Sequence, residues 1–214
     1  LRRIQSPRNR LLDAINNREF EVYYQPIVAL CSGKIVGAEA LTRWPQPDGS
    51  SLSPDSFVPL AEQTGLISRL THLVIEKVFE DMGNWLHLHA DQHISVNLAP
   101  ADLTSGKLPP LLSQLLNKWQ VRPEQIALEL TERGFADPKI SAPAIAAFRR
   151  SGHAIYIDDF GTGYSSLSYL QDLDVDTLKI DKSFVDALEY KNVTPHIIGM
   201  AKSLKLAMVA EGVE

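Results

Sequence analysis

The sequence predicts an α/β barrel. Two observations carry that expectation: short apolar runs alternate with amphipathic stretches along the chain, and nearly every such run ends in a carboxylate, amide or ammonium side chain. Alternation of this kind implies parallel strands joined by crossover helices. In a barrel the C-terminal ends of those strands gather on one face, where active sites are built. A doubly wound open sheet is the second architecture the alternation allows.

Residues 1–18, containing LRRIQSPRNRLLDAI, read as an amphipathic lead-in helix and linker from an upstream module, ahead of a domain spanning 19–214. EVYYQPIVAL (Glu21–Leu30) and KIVGAEALTRW (Lys34–Trp44) are β-like runs joined by Cys31-Ser32-Gly33, a gap short enough for an antiparallel hairpin. Ser53 offers an N-cap, Pro54 a first helical position and Gly65 a terminator, and Ile67, Leu70, Val74 and Val78 continue as a second helix. The later strands are HISVNLA (His93–Ala99), IALELTE (Ile126–Glu132), AIYIDD (Ala154–Asp159), TLKID (Thr177–Asp181) and AMVAEGV (Ala207–Val213). Helices are expected between them at Pro109–Trp119, Ser141–Ser151, Ser165–Leu170 and Pro195–Leu204, the last capped by Thr194.

With 214 residues, 44% hydrophobic and 22% charged, the composition suits one folded domain with a large core. A net charge of −5 without a basic tract argues against wrapping duplex nucleic acid. The lone Cys31 permits no internal disulfide, which suits a reducing compartment, and no apolar run approaches the roughly 20 residues of a membrane span. The chain starts at Leu1 and stops at VAEGVE, and is read as a piece of something longer.

The candidate site lies at the strand ends. Asp158 and Asp159 stand side by side after an apolar run, followed by Phe160-Gly161-Thr162-Gly163. Glu39, Asn97, Glu129, Glu132, Lys179, Asp181 and Glu211 occupy corresponding places on other strands. Carboxylates gathered on one barrel face repel one another unless a cation is present. Their hard oxygens suit Mg²⁺ or Mn²⁺. The two glycines of FGTG make it a hinged lid rather than a Walker loop, a dinucleotide fingerprint or an EF-hand. His87 and His89 lack the further ligands of a zinc site, and Cys31 has no nearby histidine.

Taken together, YYQPIV, EALTRW, SVNLAP, LELTER, DDFGTGYSSL, LKIDKSFV and VAEGVE resemble the EAL phosphodiesterase family across nearly the whole chain. The resemblance implies a modified TIM barrel whose first strand is antiparallel, with the last strand falling beyond Glu214. It implies hydrolysis of cyclic di-GMP to linear pGpG with two Mg²⁺ or Mn²⁺ ions. By the motifs, Glu39, Asn97, Glu129 and Asp158 would hold one metal. Asp158 would bridge to a second, completed by Asp159 and Glu211. Lys179 would orient or activate the attacking water, Gln25 and Arg43 would contact substrate, and Glu132 would tether the DDFGTGYSSL loop. Ca²⁺ is expected to inhibit, because its bonds are longer and its geometry looser. The amphipathic, basic stretch before the first strand fits an upstream sensory or membrane module and a cytoplasmic domain just inside an inner-membrane anchor, and a homodimer is left open. Two other functions compete: a binding module that senses the nucleotide without cutting it, and a barrel lyase. The complete set of acids, lysine and loop glycines favours the enzyme.

Overall fold

Residues 6–131, 138–160, 174–187 and 193–213 are described by the computed structural model. Helix α1 (Pro7–Asn16) begins at Ser6, whose side chain accepts from the Asn9 amide. Its apolar face does not point away from the domain: Leu11, Ala14 and Ile15 are buried in the common core. Strands β1 (Glu21–Val28) and β2 (Ile35–Pro45) form the expected antiparallel hairpin, with Gln25 opposite Glu39. Behind them Phe20, Trp44 and Phe57 meet at centroid distances of 5.1 to 6.0 Å, an aromatic cluster that packs the helix bearing Phe57 (Pro54–Gln63) against the hairpin. The two-residue strand β3 (Ser51–Leu52), too short to read from sequence, pairs with β2.

Helix α2 (Pro54–Gln63) has Ser53 at its N-cap position, although that side chain makes no capping bond. It ends as the glycine requires. Gly65 takes φ +69°, its amide reaches Glu62 O, and the Leu66 amide reaches Ala61 O at 2.8 Å, the paired bonds of a Schellman stop. Helix α3 (Ile67–Leu88) runs far enough to include His87. There follow β4 (His93–Leu98), α4 (Pro100–Thr104), α5 (Leu108–Trp119), β5 (Ile126–Thr131), α6 (Pro138–Arg150), β6 (Ile155–Phe160), β7 (Thr177–Ile180), α7 (Lys182–Asp186), α8 (Val193–Ser203) and β8 (Ala207–Ala210). Short α4 and α7 were not expected. Thr194 does not cap α8: it lies inside the helix and its hydroxyl donates to Phe184 O at 2.7 Å. The helix expected at Ser165–Leu170, the glycines Gly161 and Gly163, and Glu132 lie outside the described residues.

The sheet order is β1-β2-β4-β5-β6-β7-β8, parallel throughout except for the β1–β2 pair and the small β3. It curls. Four strand steps of about 4.8 Å would hold β2 and β7 roughly 19 Å apart in a flat sheet. Yet Lys179 of β7 touches Glu39 of β2 at 2.9 Å across the concave side. This is the incomplete barrel the sequence predicts, with helices on the convex face.

One buried titratable group outside the site has a consequence for stability. His153 is 4% exposed, and its Nδ1 lies 2.9 Å from Ile126 O. Burial pushes its pKa down, against the opposing pull of that carbonyl and of Glu124. An unfolded histidine protonates near pH 6.5, whereas the folded one does so only at lower pH. Stability is therefore full above about pH 6.5 and declines as pH falls below it. The melting temperature is expected to drop between pH 7.5 and 5.5, and to drop by less in His153→Asn; an identical drop in both proteins would exclude His153 as the cause.

Candidate active site

The strand register builds the site from below. Glu39 pairs with Ser95, Asn97 with Glu129, and Thr131 with Asp158. Since alternate residues share a face, these partners point into the same concavity. Two adjacent carboxylates should then point to opposite faces, and a local irregularity prevents that. Ile157 pairs with Leu178 and Phe160 with Ile180, so Asp158 and Asp159 together oppose the single residue Lys179. This is a β-bulge. Asp159 takes φ +54°, a left-handed conformation that aspartate tolerates better than most residues. The bulge turns both carboxylates toward Glu211, and one oxygen from each of the three lies within 4.8 Å of the others.

Lys179 is the centre of the arrangement and is 2% exposed. Its Nζ lies 2.9 Å from Glu39 Oε2, 3.0 Å from Glu129 Oε2, 3.0 Å from Asp158 Oδ1 and 2.7 Å from Glu211 Oε1. Burial alone would lower its pKa, but Glu129, Asp158, Glu39 and Glu211 outweigh burial and hold the ammonium above the ordinary lysine value. Glu129, fully buried, shows the opposite stress. Burial pushes its carboxyl up to about 8, Glu39 and Asp158 add to the rise, and Lys179 opposes it. Burial also raises Glu211, against Lys179, and raises Asp159 together with the charge of Asp158.

Five carboxylates thus share one ammonium among the described residues, an excess of negative charge that protonation or cations must relieve. Two buried oxygens, Glu129 Oε1 and Asp158 Oδ1, have no hydrogen-bond partner; the contact of Asp158 with Lys179 is an ion pair outside hydrogen-bonding direction. Glu39, Glu129 and Asp158 form one ligand group, and Asp158, Asp159 and Glu211 form another. Both consist of hard oxygen donors, and they meet at Asp158. The set fits two divalent cations of the Mg²⁺ or Mn²⁺ kind.

Of the other expected residues, Asn97 donates from Nδ2 to Glu39 Oε1 at 3.0 Å, so it belongs to the same cluster. Gln25 is exposed on β1 opposite Glu39. Arg43 lies farther up β2, half-buried, with Nη1 donating to Thr42 O at 2.9 Å. Asp181, also at a strand end, caps α7 through the Ser183 amide instead of joining the cluster. Two interior residues escaped the sequence reading. Ser95 stands two before Asn97, and Tyr156 two before Asp158, so strand alternation from the ligands was the available signal. Tyr156 Oη lies 3.1 Å from His93 Nε2 inside the barrel, where a Cβ on Gly37 would meet the His93 ring at 2.6 Å.

Comparison with known proteins follows the same outline. A family model described as "EAL domain" matches residues 8–214. The chain is 72% identical over 214 residues to "Probable cyclic di-GMP phosphodiesterase PdeB" of Escherichia coli K12, covering 100% of this chain and 42% of that protein. It is 36% identical over 210 residues to "Bifunctional diguanylate cyclase/cyclic di-GMP phosphodiesterase MucR" of Pseudomonas aeruginosa, covering 95% of this chain and 31% of that one. Among solved structures, "PaMucR Phosphodiesterase, c-di-GMP complex" superposes with a TM-score of 0.87 at 36% identity, over 95% of this chain and 85% of the other. The chain therefore spans less than half the length of these curated relatives.

Proposed function

The chain belongs to the EAL domain family, and from that membership we propose that it is a metal-dependent phosphodiesterase opening cyclic di-GMP to linear pGpG. The observation that carries this reading is the pair of carboxylate groups sharing Asp158 and wrapped around Lys179. Glu39, Asn97, Glu129 and Asp158 would hold one ion, and Asp158, Asp159 and Glu211 the other. Two bound cations would supply charge neutralisation at the phosphate and a more acidic water for in-line attack.

The protein's own groups do the rest. Lys179, whose pKa its four carboxylates raise, would orient or activate the attacking water, and the raised value favours the role of donor. Arg43 offers a planar fork to a phosphate oxygen, and Gln25 faces the substrate from the neighbouring strand. Glu132 would tether the loop that follows Asp159. The match to multidomain relatives supports an upstream sensory or membrane module in the parent protein, and pairing of two domains is compatible with it. Among the described residues no helix is long and apolar enough to cross a membrane. A cytoplasmic domain beneath a membrane anchor is the placement that fractionation of the full-length parent would test.

Incubating the chain with cyclic di-GMP and Mn²⁺ or Mg²⁺ is expected to yield pGpG by chromatography. Binding without product under both ions would make it a sensor instead. Ca²⁺ added to the Mn²⁺ reaction is expected to suppress product formation, since it prefers six to eight ligands at longer distances than the octahedral ~2.0–2.1 Å of the smaller ion. Undiminished turnover with Ca²⁺ in excess would count against the two-ion site.

A further inference from the structure

We infer that Tyr23 is a stacking platform for one guanine base of the dinucleotide, a substrate-binding role that rests on the proposed reading of cyclic di-GMP as substrate. The two adjacent tyrosines of β1 face opposite ways. Tyr24 turns outward, and its hydroxyl donates to Asp81 Oδ2 on α3 at 2.9 Å. Tyr23 therefore lies on the face shared by Gln25, whose cross-strand partner is the ligand Glu39. On that face Tyr23 pairs with Leu41, one register step of two residues from Gln25 and Glu39, or roughly 7 Å along the strand.

Its exposure is unlike that of the other hairpin aromatics. Trp44 is buried in the core at 4%, whereas Tyr23 leaves 56% of its surface open on the wall of the catalytic concavity. The Arg43 guanidinium stands 5.8 Å from the centre of the Tyr23 ring. The planar cation thus lies over one face of the ring as a cation–π pair and leaves the other face for a base, one register step from Gln25 and Glu39. A purine laid on the ring would place its attached phosphate within reach of the Arg43 fork, with the Gln25 amide beside the base edge. Stacking tolerates any base, so Tyr23 supplies affinity for the nucleoside, while Gln25 and Arg43 supply direction.

The test is the dissociation constant for cyclic di-GMP, measured in Ca²⁺ so that turnover is suppressed, for the parent chain and for Tyr23→Ala, Tyr23→Phe and Tyr23→Leu. Truncation to alanine is expected to weaken binding roughly tenfold to a hundredfold, the scale of one lost base–aromatic stack. Phenylalanine should bind within about twofold of the parent and leucine should stay close to alanine, because a flat ring is needed and bulk alone is not. In Mn²⁺ the KM of Tyr23→Ala should rise in step while kcat changes far less. Alanine binding as well as the parent, or leucine rescuing as well as phenylalanine, would overturn the platform. A parent that binds with this aromatic requirement yet makes no pGpG would remove the phosphodiesterase reading and leave the platform standing; one that does not bind cyclic di-GMP removes both.

Discussion

Lys179→Ala is expected to lower turnover of cyclic di-GMP by on the order of 10²- to 10³-fold, the scale of one positioned donor lost from the transition state. Its four carboxylate neighbours at 2.7 to 3.0 Å also make it structural. Removing one partner from a buried ion cluster costs about 3–5 kcal/mol, because the remaining charges lose their compensation. For a chain of this size that corresponds to a melting temperature lower by roughly 6–20 °C in chelator. The two roles separate on adding metal. Saturating Mn²⁺ replaces the missing positive charge, so it should restore most of the melting temperature while turnover stays low. Full recovery of turnover together with stability would reduce Lys179 to a counter-charge. Affinity for cyclic di-GMP falling in proportion to turnover would make it a phosphate anchor.

Asp158→Asn should be the more severe change for the metals. Asp158 is the member common to both carboxylate groups, and the amide keeps its shape while removing its charge from each. The charge stabilisation that bound cations give a phosphoryl transition state amounts to several kcal/mol, so losing their shared ligand should lower turnover by about 10³-fold or more. Mn²⁺ titration calorimetry should show both sites weakened, whereas Asp159→Asn should weaken only one. The variant should fold, since Asp158 sits at the rim of the sheet with its side chain 13% exposed. Two tightly held Mn²⁺ ions in Asp158→Asn, with turnover within tenfold of the parent, would refute the shared-ligand arrangement.

Much of this site was legible before any coordinates, for a local reason. Strand identity follows from short apolar runs, and the end of a run marks the end of a strand. Once the strands are parallel, their polar terminal residues must lie on one side of the sheet. Glu39, Asn97, Glu129, Asp158, Lys179 and Glu211 could therefore be gathered as one set from sequence. Helix stops written in glycine, such as Gly65, were equally plain, because a single φ > 0 position is a local demand. Elements too short for a period, such as β3 and α4, carried no such signal.

What the amino-acid order determined by itself was the list of strands, their direction and the kind of chemistry at their ends. What only the tertiary structure decided was which of those ends touch. The Asp158–Asp159 bulge exists because two residues of β6 face one residue of β7, a mismatch between segments distant in sequence. The fourfold pairing of Lys179 exists because the sheet curls far enough to bring β7 back to β2. The upward shift of its pKa follows from that pairing: burial and oppositely charged neighbours act through distances between side chains, and those distances are set by curl and register and not by the spacing of residues along the chain.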